Sequence, residues 1–582
     1  MINNKPPSVQ KNSIIRVLVL GLITFIISII ILIYFTWDVL SPENWGRLDS
    51  HLEHWKLIVY DFFADAKTNS VSYYWQQISN RELELCFFIH VLLVILPALL
   101  FSILVSIYVR SCENDQLYHV SGARLLKGEK AFKHAKKQLA IELKRGTKKG
   151  LVLHPKVVLT RDRENGNFLI IGNQGSGKTV FITPIIKQII DRGEKAFIYD
   201  EKREFTKLFY NSSNTVLISP WDKRGTPWNI SADAKTDTDA KLIADHLISE
   251  TKDPIWSEGA RSILSGMIMT LNHTNEYWGW KELANILSTN DAILKEMFTK
   301  YYPRATRFIE PNSKTTASFF AQLISSLGWI YILADAWPNA YKTGFSISEW
   351  TFDRESKKKV VIVQASAKYK DIGAPIANTL ISLMTSSILS SKNSTKRELW
   401  MFLDEIGNLP RNESIKKWMT LGRSKGCRIV AGTQGHSQLI ELYTEQGANT
   451  LLNLFSTIVT MKMGASGGSA EYAAKAFSDR IIERPNLTNQ KFIQWQKEIQ
   501  PLVNASDLVN LPFASKNGIH GYIMVSGWLS VYYLIWPIHN IKPIAAETIA
   551  ANWTLSQTRK TKIAIKTPMR GRLARRVNHD DD

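Results

Sequence analysis

The stretch NFLIIGNQGSGKTVFITPIIKQII, from Asn167 to Ile190, constrains the fold more than any other part of the chain. Phe168 to Ile171 is a short apolar strand. It runs into Gly172-Asn173-Gln174-Gly175-Ser176-Gly177-Lys178-Thr179, and an apolar-periodic helix follows to about Asp191. Glycines at these positions let backbone N–H groups close on phosphate oxygens, and the start of a helix favours negative charge there. G-x-x-x-x-G-K-T between a strand and a helix is therefore a nucleotide-binding loop. Residues 172–179 are expected to wrap the phosphates of ATP. Lys178 should reach the β- and γ-phosphates, and the Thr179 hydroxyl should ligate Mg²⁺.

Such a loop needs an acidic partner. Glu398 to Ile406 reads ELWMFLDEI, an apolar strand closed by Asp404-Glu405. Open α/β sheets place ligand-binding groups at the carboxyl ends of their strands. That position suits Asp404 to hold Mg²⁺ and Glu405 to orient or deprotonate the attacking water. Further on, Arg428 to Ala431 forms another apolar strand that ends at Thr433-Gln434. Gln434 is placed to sense the γ-phosphate by hydrogen bonding. Arg423 lies at the other end of that strand and cannot reach the same nucleotide. Taken alone it reads as a solvated charge at a helix end; the alternative is a finger reaching the nucleotide of a neighbouring subunit. More strands are expected at 195–200, 215–218, 359–364, 457–462 and 531–536. Strands alternating with helices imply an α/β fold with a mostly parallel, helix-flanked sheet. Residues 231–350 break the rhythm and read as an inserted all-α subdomain, with aromatics that pack a core.

Val17 to Trp37 holds 21 positions without a charge, long enough to span a bilayer. A second apolar run, Leu85 to Val109, contains His90 and Pro97; neighbouring helices can satisfy the backbone groups a proline leaves open. Two transmembrane helices are expected. Residues 1–16 hold three basic side chains and no acidic ones, the loop 38–84 four against eight, and 110–150 eleven against four. Positive charge brackets the pair, which places both ends in the cytoplasm and the loop outside. His90 reads as a polar residue packed near a helix end. Three cysteines, Cys86, Cys112 and Cys427, build neither a disulfide framework nor a structural zinc site.

With these features assembled, the chain resembles the type IV coupling proteins of conjugation and type IV secretion, most of all the TraD branch. Beyond the nucleotide loop, Asp200-Glu201-Lys202-Arg203-Glu204 is similar to the family's D-P-K-G-[DE] element, without its proline and glycine. LISPWDKRGTPWN from Leu217, WSEGAR from Trp256 and LDEIGNLPRNESIKKWMTLGRSKGCRIVAGTQGHSQL from Leu403 are similar to further family blocks. The resemblance implies a RecA-like P-loop NTPase carrying Lys178 and Thr179 at the phosphates and Asp404 and Glu405 at metal and water. It also implies Arg423 as the finger in trans and Gln434 as the sensor. The implied organisation is a cytoplasmic N-terminus (1–16), transmembrane helices 17–37 and 85–109 around a periplasmic loop (38–84), and a nucleotide-binding domain in two parts (110–230 and 351–545). The all-α subdomain (231–350) interrupts that domain, and a basic tail (546–582) follows it.

The implied function is a bacterial inner-membrane ATPase, assembled as a homo-hexamer, with its motor in the cytoplasm. It would recruit single-stranded DNA with its bound relaxase and drive it through a type IV secretion channel. Two other readings share parts of this sequence. An FtsK-type chromosome translocase has the same motor, but the helical insertion is foreign to it. A docking receptor for secreted proteins would use ATP as a switch. The formal charge of +20 separates none of these. Residues 110–150 carry 11 − 4 = +7 and Arg559 to Arg576 carries +8, together 15 of the 20. Membrane orientation alone accounts for the first block.

Overall fold

The computed structural model describes residues 14–40, 45–64, 69–111, 118–392, 398–466, 468–486 and 494–555. The basic run 559–576 and Cys112 lie outside the described residues. The chain divides into two compact units, residues 1–121 with 480–500, and residues 122–479 with 501–582.

In the first unit, helices α1 (Ile14–Leu40) and α2 (Glu84–Ser111) pack along each other, and the Ser102 hydroxyl donates to the Gly21 carbonyl at 2.7 Å. Within these helices, Val17–Trp37 and Glu84–Val109 are long and apolar enough to cross a membrane, and only 6% and 17% of their most apolar windows are buried. Apolar faces of that length left unburied by protein fit a lipid surround. Between them, helices Leu48–Ala64 and Ser70–Ser79 close a small aromatic core of Trp37, Trp45, Tyr74, Ile78 and Leu83. His90 is buried against the Trp37 and Trp45 rings, at 5.5 and 6.1 Å between centroids. A three-stranded sheet completes the unit, with Asp479–Asn486 central between Tyr118–Gly122 and Gln494–Pro501.

The second unit is built on a ten-stranded sheet. Its strands are β1 (Arg124–Lys127), β2 (Phe168–Ile171), β3 (Lys195–Asp200), β4 (Thr215–Ile218), β5 (Val360–Gln364), β6 (Leu399–Leu403), β7 (Cys427–Thr433), β8 (Thr457–Thr460), β9 (Ile519–Val525) and β10 (Ser530–Trp536). Their spatial order is β1-β10-β9-β8-β2-β7-β6-β3-β5-β4. The seven strands from β8 to β4 are parallel, while β9 runs antiparallel to both β8 and β10. Parallel strands covered on both faces need apolar residues at every position. Accordingly FLII, VVIVQ and LWMFL are buried throughout. Alternate side chains serve different cores: Leu169, Ile171, Phe197 and Tyr199 face one, while Phe168, Ile170, Ala196 and Ile198 face the other. The helix Ala367–Ser390 also has the length and apolarity of a membrane span, but 78% of that window is buried inside this unit. It is a core helix.

Between β4 and β5 the chain is helical, from the turn Ile230–Asp233 to the helix Ile347–Phe352. Trp228, Trp278, Trp280, Trp329, Trp337 and Trp350 are all buried there, as core packing requires. Asp233 pins the two ends of this segment together. It accepts from Trp228 Nε1 at 2.8 Å, Ser346 Oγ at 2.7 Å, and the backbone N–H groups of Ile347 and Ser348 at 3.0 and 2.9 Å. After β10 the chain returns across the top of the sheet. Lys223 N–H donates to the Ile549 carbonyl at 2.7 Å, Gln364 Nε2 to the Glu547 carbonyl at 3.0 Å, and Trp553 Nε1 to the Pro220 carbonyl at 2.7 Å. Residues 546–555 are therefore part of the folded unit.

Candidate nucleotide site

Strands β2, β7, β6 and β3 lie side by side and point the same way, so the segments that leave their carboxyl ends share one edge of the sheet. From β2 comes the loop Gly172–Gly177 and the helix Lys178–Asp191. Gly177 caps that helix at φ +102°, and a Cβ there would lie 2.8 Å from Ile519, so only glycine fits both the backbone and the space. From β6 comes Asp404-Glu405, and from β7 comes Gln434. The intervening strand approaches the acidic pair closely: a Cβ on Gly432 would stand 2.2 Å from the Asp404 carbonyl oxygen.

Backbone hydrogen bonds fix the relative positions. Gly172 N–H donates to the Thr433 carbonyl at 3.1 Å, and Asn173 N–H to the Lys462 carbonyl at 2.9 Å. Gln434 N–H donates to Glu405 Oε1 at 3.0 Å. The other carboxylate oxygen of Glu405 stands 3.6 Å from Lys178 Nζ, which also donates to the Gly172 carbonyl at 2.6 Å. The Thr179 hydroxyl is 3.4 Å from Asp404 Oδ1. Lys178, Asp404 and Glu405 are all buried.

Burial governs the charge states. It pushes the carboxyls of Asp404 and Glu405 above the usual carboxylate range, against the attraction of Lys202 and Lys178. It pulls the Lys178 ammonium below the usual lysine range, against the attraction of Glu405 and Asp404. Taking charges out of water outweighs a salt bridge of modest geometry, so both partners are drawn towards their neutral forms. The buried charges are thus only partly compensated by one another, and phosphate beside Lys178 with a divalent cation beside Asp404 would supply the compensation that burial has removed. A second sign is Ser176 Oγ, which is buried and has no hydrogen-bond partner among the described residues. A phosphate oxygen held in a loop of this shape would supply that partner. The residues present thus fit a nucleotide and Mg²⁺.

Of the residues named from sequence, 172–179, Asp404, Glu405 and Gln434 come together. Arg423 does not join them. It is exposed on the turn Gly422–Lys425, at the amino end of β7, with the full strand between it and Gln434. Seven strand residues span roughly 20 Å. Two contributors were not singled out as site residues. Asp200 closes β3, is buried, and accepts from Thr206 N–H at 2.6 Å and Thr206 Oγ1 at 2.7 Å. Burial pushes its carboxyl up to about 6. Lys202, two residues on, is the strongest electrostatic counterweight to the burial of Asp404. The signal for both was their place at the end of a parallel strand and just beyond it.

Residues 151–534, about two thirds of the chain, match the family model described as the type IV secretion-system coupling protein DNA-binding domain. The chain is similar to the coupling protein TraD of Escherichia coli (strain K12), at 25% identity over 394 residues, 65% of this chain and 54% of TraD. It thus spans about half the length of that relative. Among solved structures, unbound TrwB, a bacterial conjugative coupling protein lacking its first 70 residues, superposes with a TM-score of 0.62 at 20% identity, over 74% of this chain and 97% of that one. TrwB in complex with ADP and Mg²⁺ gives 0.60 at 21% identity, over 75% and 98%. The shared fold is that of a RecA-like P-loop NTPase.

Proposed function

The chain belongs to the type IV secretion-system coupling proteins, and we propose that it is an ATPase of the bacterial inner membrane that drives single-stranded DNA, with its bound relaxase, into a type IV secretion channel. The observation that carries this reading is the cluster at one sheet edge of buried Lys178, Asp404 and Glu405 with half-buried Thr179 and Gln434. The helices around Val17–Trp37 and Glu84–Val109 serve as two spans, with residues 38–84 in the periplasm and the α/β unit in the cytoplasm.

In this reading ATP occupies residues 172–179. Lys178 Nζ exchanges the Gly172 carbonyl for phosphate oxygens, and Ser176 Oγ gains its missing partner. Thr179 and Asp404 would hold Mg²⁺, which would supply positive charge against the phosphates. Glu405, raised above the usual carboxylate range by burial, is a stronger base for the attacking water than a solvated glutamate. Gln434 shares a hydrogen bond with that base and carries the state of the site into β7. Arg423, too far from its own site, completes the site of the next subunit in a homo-hexameric ring. The DNA backbone is held through phosphates without reading of sequence, so binding weakens steeply with salt.

The test is a mating assay with a Lys178→Ala chain as the sole coupling protein. Transfer should fall to the level of cells lacking the protein while membrane insertion is kept. Wild-type transfer frequency by that variant would overturn the ATP-driven reading.

A further inference from the structure

The nucleotide loop has a neighbour that neither core explains. Phe513 lies in the segment before β9 and belongs to neither hydrophobic cluster of the α/β unit. A Cβ built on Gly175, in the middle of the nucleotide loop, would lie 4.0 Å from Phe513 Cδ1. The ring nevertheless stays largely in solvent, with 58% of the residue exposed. A large aromatic left in water at such a place has apolar area still to bury.

Its position is also built. Lys462 supplies the carbonyl that accepts the Asn173 N–H of the nucleotide loop at 2.9 Å. Its ammonium donates to the carbonyls of Val509 and Leu511 at 2.7 and 2.8 Å, and stands 4.6 Å from the centroid of the Phe513 ring. One lysine thus ties the nucleotide loop by its backbone to the phenyl ring by its side chain. Beside the ring, Asn173, Gln174 and Gly175 are exposed as well, so loop and ring both face solvent, where one ligand can reach them together.

We propose that Phe513, braced by Lys462, is the platform on which the purine base of the bound nucleotide stacks. The proposal rests on the reading that residues 172–179 hold the phosphates of ATP. Phosphates fixed by the loop leave ribose and base to extend from it, and Phe513 is the exposed aromatic against that loop. Stacking on an aromatic face buries the ring and the base together, and it tolerates either purine because it reads a π-face and not an edge. The cation over the ring holds it in place.

The experiment separates base from phosphate. The full chain in nanodiscs is titrated with ATP and, separately, with inorganic tripolyphosphate, both with Mg²⁺. Phe513→Ala should weaken ATP binding about tenfold, the loss of one stacking contact, and leave tripolyphosphate binding unchanged. Phe513→Tyr should bind ATP as the wild type does. Lys178→Ala should lose both ligands, and its failure to do so would count against the phosphate site itself and not against the platform. Unchanged ATP binding by Phe513→Ala overturns the proposal. So does a parallel loss of ATP and tripolyphosphate, which would make Phe513 a support of the loop.

Discussion

Replacing Glu405 with Gln removes one buried negative charge and keeps the side chain's size. In the structure one oxygen of Glu405 accepts the Gln434 N–H at 3.0 Å, and the other stands 3.6 Å from Lys178 Nζ. An amide oxygen can keep the first contact. The second loses its Coulomb part, about 332/(20 × 3.6), or roughly 5 kcal/mol gross at an effective dielectric constant of about 20. Desolvation returns most of this, because burial already raises the Glu405 carboxyl and lowers Lys178. The net loss of stability without nucleotide should be about 1–3 kcal/mol. ATP supplies the missing negative charge to Lys178, so the thermal shift on adding ATP and Mg²⁺ should be larger in Glu405→Gln than in the wild type. Hydrolysis should fall by about 10²–10⁴-fold with the base removed. Phosphate release and thermal melts with and without ATP check both halves. Release within tenfold of the wild type, or loss of ATP binding along with hydrolysis, would refute the assignment of Glu405.

Two further outcomes test other parts of the site. Arg423→Ala, at an exposed turn, should leave melting temperature and ATP binding unchanged yet lower hydrolysis about 10³-fold. Mixing it with Lys178→Ala subunits should restore part of the activity, because some interfaces then carry both residues; a mixture as inactive as its components would remove the finger role. Asp200 has its carboxyl at about 6 in the folded chain, against an ordinary 3.8. The folded state then binds the proton more tightly than the unfolded one. Stability should fall as pH rises from about 4 to 6 and level off above, by about 3 kcal/mol in all. Asp200→Asn should flatten that dependence in thermal melts at pH 4.5 and 8, and an unchanged slope would show that Asp200 is not its source.

The legible parts of this protein were those encoded over short distances. The nucleotide loop is eight consecutive residues whose spacing is set by phosphate geometry, and Asp404-Glu405 closes a strand that is apolar throughout. The apolar runs 17–37 and 85–109 announce themselves by length. By contrast, β9 (IHGYIMV) carries His520 and Gly521 inside an apolar run, which hides a strand that is paired on both sides, with β8 and β10. The pairing of Tyr118–Gly122 with Asp479–Asn486 joins segments more than 350 residues apart, and no local period signals it. Helix Ala367–Ser390 shows the opposite problem, since its composition passes for a membrane span and only tertiary packing shows that it is a core. Phe513 was illegible for the same reason: its meaning comes from Gly175, 338 positions earlier in the sequence.

Strand order adds a consequence that the motifs alone do not carry. β7 lies between the strand of the nucleotide loop and the strand of the acidic pair, hydrogen-bonded in register to both. Its carboxyl end carries Gln434, and the turn before its amino end carries Arg423. A seven-residue strand paired on both sides can neither stretch nor slide alone, so a displacement at one end is passed to the other only as a rigid shift shared with β2 and β6. In the proposed ring, the group that reports the state of one nucleotide and the group that completes the next are two ends of one rod. Release of the Gln434–Glu405 contact after hydrolysis would then move Arg423 relative to the neighbouring site, which links successive hydrolysis events without any further moving part.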